Sequence, residues 1–216
     1  MITIILAAGN NKRFKGKHKG ALKARDGRTV LENITDNLNA NPVLVIAQKK
    51  HRRQLDEAIS NLSLPGSKRL LIHAWLQTPT SGPLDTLWQA RGWILALLNA
   101  QNNGDCPVVI SYCDVLMERN KFQEFINASE LVDAGIVIFK SENDRFGDTI
   151  LQGYKNSGVF YFKSGTQMMS TLGLIPRTEG CGVPDLVESV GHDMMFCCND
   201  IIDIGIPEDY EEYIND

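Results

Sequence analysis

Runs that are apolar at every position, separated by stretches with helical periodicity, leave this chain few folds to adopt. Residues 2–7, ITIILA, form the first such run and are rich in β-branched side chains. That is the pattern of a strand covered on both faces. VLVIA (43–47), RLLIHAWL (69–76) and PVVISYC (107–113) repeat it, and AGIVIF (134–139), SGVFYF (157–162) and MMFCC (194–198) read as later strands. Between them, TVLENITDNLNA (29–40) opens with Thr29 and Glu32 in capping-box spacing and sets Val30, Leu31, Ile34 and Leu38 on one helical face. KKHRRQLDEAISNL predicts a solvated, charged helix, and NKFQEFINASELV another. Residues 82–100 predict one long helix with Pro83 in its first turn. The acidic tail PEDYEEYIND reads as a helix whose early acids favour the N-terminal dipole. Strands alternating with helices mean βαβ units with right-handed crossovers. The expected fold is therefore a single α/β domain over residues 1–216: Rossmann-like, three-layer α/β/α, with a mixed, mainly parallel sheet. Residues 141–157 and 176–193 carry neither pattern and are expected to decorate the sheet.

Composition removes several partner classes. Lys plus Arg number 22 against 26 Asp plus Glu, a net charge of -4, so there is no global attraction to nucleic acid or to an anionic membrane. The longest apolar stretch, around WILALL, is too short to span a bilayer. Met1 runs straight into a strand with no basic leader, which reads as no signal peptide. The cysteines (Cys106, Cys113, Cys181, Cys197 and Cys198) are odd in number and form no CxxC pair. That argues against a disulfide framework or a zinc site and for a reducing, cytoplasmic setting.

In open α/β sheets, ligands sit beyond the carboxyl ends of the strands, so the residues after each run matter most. The first strand is followed by AAGNNKRF (7–14), and Lys12, Arg13, Lys15, Lys17, Lys19 and Lys23 crowd the segment behind it. Small residues and Gly9 let backbone approach a ligand closely, and Arg13 follows, which suits an anionic phosphate chain. Two phosphate loops are excluded. Gly9 and Gly16 stand too far apart for G-x-x-x-x-G-K-[ST], which would also end in His18, and no G-x-G-x-x-G is present. Without a ligand, the segment would be a basic surface turn. Asp114, at the tip of an apolar strand, and Asp203, in IIDIGIP, are carboxylates that need solvent, a partner or a cation. A lone aspartate there also serves as a helix N-cap. Brought together by the fold, the pair would hold Mg²⁺, which takes a few carboxylates plus phosphate oxygens and water.

ILAAGNNKRF…HKGALKARDGRTVLE resembles the signature of the GT-A-like nucleotidyltransferases that activate sugar phosphates and other small phosphates. The likeness continues in family order through QTPTSGPLDTLWQA, Asp114, NSGVFYF and DIGIPEDY, over almost the whole chain. The resemblance implies a nucleotide site formed by Leu6, Ala7, Ala8, Gly9, Asn10 and Arg13, with Gln77 and Gly82 on the base. Lys19, or Lys23 in a shifted register, would contact phosphate next to the transferred group, and Arg13 and Lys19 would be the catalytic cations. Asp114 and Asp203 would ligate Mg²⁺, with Asp114 also at the nucleotide. Lys155, Asn156 and Gly158 would line the acceptor pocket. The implied reaction is attack by a phosphate oxygen of a small phosphorylated acceptor, a sugar 1-phosphate first, on the α-phosphorus of an NTP, releasing pyrophosphate.

Asn11 and Lys12 depart from that signature, and HKGAL is similar to a segment of the molybdenum-cofactor guanylyltransferases. CTP is the first expectation for the nucleotide, with GTP, UTP and dTTP behind it. The other readings are a molybdenum-cofactor-type guanylyltransferase, a GT-A glycosyltransferase and a non-catalytic nucleotide-binding regulator. A glycosyltransferase would want a D-x-D, whereas Asp114 is followed by Val115 and Leu116. His18 reads as an exposed loop histidine, Cys113 as a small buried hydrophobe, and Trp75, Trp88 and Trp93 as packing.

Overall fold

A computed structural model describes residues 1–38, 42–60, 70–101, 104–141, 149–151, 153–176 and 181–215. The strands are β1 (Ile2–Ala7), β2 (Val43–Gln48), β3 (Leu71–Leu76), β4 (Val108–Tyr112), β5 (Val115–Met117), β6 (Ala134–Lys140), β7 (Thr149–Leu151), β8 (Tyr154–Phe162), β9 (His192–Cys197) and β10 (Ile201–Asp203). The helices are α1 (Val30–Asn37), α2 (Arg52–Ser60), α3 (Pro83–Gln89), α4 (Arg91–Asn99), α5 (Arg119–Ser129), α6 (Gly165–Leu172), α7 (Val183–Gly191) and α8 (Pro207–Asn215).

The main sheet runs β3-β2-β1-β4-β8-β6-β9, with β7 added beside β8. β1, β2, β3 and β4 pair in parallel, as do β6 and β9, while β8 runs antiparallel between β4 and β6. The expected mixed, mainly parallel sheet is what forms. Strand β1 shows why its run is apolar throughout. Ile2, Ile4, Leu6 and Ala8 face a core with α3, α4, α6 and α7, while Ile5 and Ala7 face a second core with α1, α2 and α5. Both faces are covered, so three layers result.

Three expectations need correction. The single helix over 82–100 is two, broken at Ala90, whose φ of -88° and ψ of 3° leave the helical basin. The Trp88 carbonyl at the break accepts from Arg91 Nη1 at 3.0 Å, and the guanidinium also lies over the Trp88 ring. Residues 176–193 are not decoration. Val183, Leu186, Val187 and Val190 form the buried face of α7, although residues 177–180 lie outside the described segments. Of 141–157, residues 142–148 and 152 also lie outside them, and the remainder builds β7 and the start of β8. Finally, β5 and β10 form a two-stranded antiparallel ribbon that pairs Asp203 with Val115.

Candidate active site

Beyond the carboxyl ends of β1 and β4 lies a cavity of ≈ 380 Å³. One wall is the loop after β1, with Leu6, Ala8, Gly9, Asn10, Asn11, Lys12 and Arg13. Thr80, Ser81, Gly82, Pro83 and Thr86 form the α3 wall, Tyr112, Cys113 and Asp114 the β4 end, and Lys19 enters from the side.

The loop's shape follows from its hydrogen bonds. Three successive carbonyls are each taken by a side chain. His18 Nε2 donates to Ala7 O at 2.8 Å, Gln48 Nε2 to Ala8 O at 2.7 Å and Asn11 Nδ2 to Gly9 O at 2.8 Å. Among the described residues, the N–H groups of Gly9, Asn10 and Asn11 donate to no protein acceptor. A loop whose acceptors are satisfied and whose donors are free can receive an anion. Asn11 holds the left-handed conformation, φ 51°, that Asn adopts more readily than most side chains. Its Oδ1 also accepts from Lys19 N at 3.4 Å, and Lys50 Nζ donates to Asn10 Oδ1 at 3.1 Å.

His18 is the clearest correction to the sequence reading. It is not exposed but 1% accessible. Its Nδ1 accepts from Gly20 N at 3.1 Å while Nε2–H donates to Ala7 O, which makes it a neutral strut between β1 and the Lys19 turn. Burial, aided by His51 and Lys19, pushes its pKa down to about 4. Gln54 secures the same turn, accepting from His18 N at 2.7 Å and donating to Gly16 O at 3.1 Å.

Lys19 Nζ sits 2.6 Å from Asp114 Oδ2. Burial alone would lower the lysine's pKa, but the Asp114 carboxylate more than offsets this and the net shift is upward. Asp203 reaches the same place from the ribbon, where Oδ1 accepts from Gly205 N at 2.6 Å. Ile204 N donates to Asp114 O at 2.9 Å, which ties the two acid-bearing segments together. Burial first, then the charge of Asp114, raises the Asp203 pKa to about 6. Among the described residues no cluster of three or more His, Cys, Asp or Glu side chains is set to hold a metal. Asp114 and Asp203 are therefore a pair of carboxylates rather than a complete metal cluster. Burial, with the nearby charge of Asp114, raises the Cys113 thiol to about 12, so it is an inert wall.

The structure thus gathers Leu6, Ala8, Gly9, Asn10, Arg13, Lys19, Gly82 and Asp114 around one cavity, with Asp203 beside Asp114. Lys23 is exposed and lines a different cavity. Ala7 is fully buried in the opposite core and meets the loop only through its carbonyl. Gln77 is exposed after β3 and does not line the cavity; Thr80, Ser81 and Thr86 do. Lys155, Asn156 and Gly158 do not line it either. Pairing of Ser111 with Val159 carries them past the end of β4, beside Tyr112. Gly158, at φ +84°, has a local reason to be glycine, because a Cβ there would lie 2.5 Å from Tyr112 Cδ2. Thr86 and Tyr112 were missed by sequence reasoning. Thr86 follows Gly82 by one helical turn, a spacing that could have flagged it.

Residues 3–184 match the profile of the MobA-like NTP transferase domain. The chain belongs to that family. It is a nucleotidyltransferase. None of the curated proteins matches the sequence. The fold is similar to that of a nucleoside-diphosphate-sugar pyrophosphorylase from Vibrio cholerae RC9, with 16% identity, 100% of each chain covered and a TM-score of 0.73. An inositol-1-phosphate CTP transferase from T. maritima superposes with a TM-score of 0.72 at 13% identity, over 99% of this chain and 94% of that one. A 4-diphosphocytidyl-2C-methyl-D-erythritol synthase from Anaerococcus prevotii gives 0.67 at 15% identity, over 99% and 96%. At such identities the likeness is one of fold. Among the described residues no helix is long and apolar enough to cross a membrane.

Proposed function

We propose that residues 1–216 act as one Mg²⁺-dependent unit that transfers NMP from an NTP to a small phosphorylated acceptor, a sugar 1-phosphate first, with release of pyrophosphate. The observation that carries this reading is the loop after β1. Its carbonyls are capped and its N–H groups are free, while Lys12, Arg13 and Lys19 surround the same cavity as Asp114.

In this reading Gly9, Asn10 and Arg13 receive the triphosphate, and Lys19 leaves Asp114 for a phosphate oxygen. An acceptor phosphate oxygen forms the new bond to the α-phosphorus as the bond to the β-phosphate oxygen breaks, and the electron pair departs with pyrophosphate. The acceptor is already an anion at neutral pH, so no protein nucleophile is required. The protein aligns the two phosphates and neutralises their charge. Asp114 and Asp203 suit a divalent cation because burial first, and the charge of Asp114 second, raises the Asp203 pKa, and such an ion offsets both. When bound there, Mg²⁺ would supply charge neutralisation to the phosphate oxygens. Lys155, Asn156 and Gly158, beyond Tyr112, would face the acceptor.

CTP is the first nucleotide to try, a choice supported by the names of two fold neighbours. GTP is the second, supported by the MobA-like family match. The test is pyrophosphate release from each ribonucleotide and dTTP with Mg²⁺, against a panel of sugar 1-phosphates and other small phosphates. One nucleotide–acceptor pair should release pyrophosphate in proportion to product. Release by no pair, or glycosyl transfer from a nucleotide sugar instead, would overturn the reading.

A further inference from the structure

The C-terminal helix α8 carries two tyrosines that meet the basic loop from outside the cavity. Tyr210 Oη donates to Lys23 O at 2.8 Å, and its ring meets Phe14 edge to face, with centroids 6.2 Å apart and planes at 75°. Phe14 is buried. Its ring in turn supports Lys19, whose Nζ lies 5.9 Å from the centroid while also reaching Asp114. Tyr213 holds the next part of the loop: its carbonyl accepts from Arg25 Nε, and its ring lies 4.7 Å from that guanidinium. No residue of α8 lines the cavity. A contact line therefore runs from Tyr210 through Phe14 to the Lys19 ammonium. A lysine stem is long and flexible, and a ring against its head narrows where the charge can sit.

We propose that Tyr210 is a positioning residue for nucleotidyl transfer, holding the Lys19 ammonium at the phosphate site through Phe14. The proposal rests on the reading that Lys19 contacts phosphate. It gives the last helix a role that its acidic sequence does not suggest. The same short C-terminal segment that brings Asp203 beside Asp114 also sets the cation opposite them.

The experiment is calorimetric binding of inorganic tripolyphosphate with Mg²⁺, a probe without a base, to wild-type protein, Tyr210→Ala, Tyr210→Phe, Lys19→Gln and the Tyr210→Ala/Lys19→Gln double variant. Tyr210→Ala should weaken binding about threefold to tenfold, in the lower part of the range for coupled neighbours. Tyr210→Phe, which keeps the ring, should stay near wild type. In the Lys19→Gln background, Tyr210→Ala should cost nothing further. An equal loss in both backgrounds, or wild-type binding by Tyr210→Ala, overturns the proposal. Wild-type binding by Lys19→Gln overturns the phosphate role of Lys19 instead, and no binding by wild type overturns the phosphate loop itself. Should Tyr210→Ala not fold, Phe14→Leu removes the ring between Tyr210 and Lys19 and must show the same coupling to Lys19.

Discussion

His18 is buried between β1 and the Lys19 turn, where a neutral tautomer donates to Ala7 O and accepts from Gly20 N. Its pKa of about 4 in the fold lies below the ordinary 6.5. The unfolded chain therefore binds more protons between these values, and stability rises with pH across that window. Conversely, as pH falls from about 6.5 to about 4, the protein should lose on the order of 3 kcal/mol from this group alone. Asp203, raised to about 6, works in the opposite direction over part of the window. The comparison of wild type with His18→Gln cancels that term. Denaturant melts at pH 4.5 and 7 should show a smaller pH difference for the variant, and an equal difference would show that His18 is not the group responsible. At Gly158, a second residue-scale expectation follows. Gly158→Ala would combine strained backbone at φ +84° with a clash on Tyr112. It should cost about 1–3 kcal/mol in the same melts, and a neutral result would mean that Tyr112 moves aside freely.

At the scale of elements, the ribbon β5–β10 is what makes two distant aspartates neighbours. Asp203 pairs with Val115, the residue after Asp114. Asp114→Asn and Asp203→Asn keep side-chain oxygens for the local hydrogen bonds but remove charge. Each should leave the melting temperature within a few degrees and lower turnover about a hundredfold or more. Near-normal turnover in either would break the paired-carboxylate reading. These elements were unequally legible in the sequence. Strands β1, β2 and β4 announce themselves because burial on both faces demands unbroken apolar runs. The capping box of α1 is also plain, and both of its reciprocal hydrogen bonds form. Ribbon strands of three residues carry too little pattern to be seen. Helix α7 hid behind the glycines that precede it and the proline in its first turn, though Val183, Leu186, Val187 and Val190 are spaced as a helical face. Helix α6 had a signal in Ser164 and Gln167, where the hydroxyl accepts from Gln167 N at 3.0 Å.

Across the whole molecule, the strand order explains why the site lies where it does. From β1 the chain builds outward to β2 and β3, then crosses back to lay β4 on the other side of β1. The crevice at that reversal, beyond the carboxyl ends of β1 and β4, is where open α/β sheets bind ligands. Most residues legible as a site in the sequence follow from the ends of these two strands, while Lys19, Gly82 and Asp203 come to it from other segments. Gln77 follows edge strand β3 and does not line the cavity, whereas Gly82 of the same segment does. The support from Gln48 and Tyr210 was invisible because it joins segments far apart in the chain, and that from His18 because only the folded loop carries it back beneath Ala7. Nucleotidyl transfer in this crevice can be followed with α-³²P and γ-³²P labels placed separately in CTP and in GTP, with Mg²⁺ and the acceptor panel. Such transfer puts the α label in the acceptor product and the γ label in pyrophosphate. A γ label on the acceptor would contradict it, as would an α label that leaves only as free nucleotide.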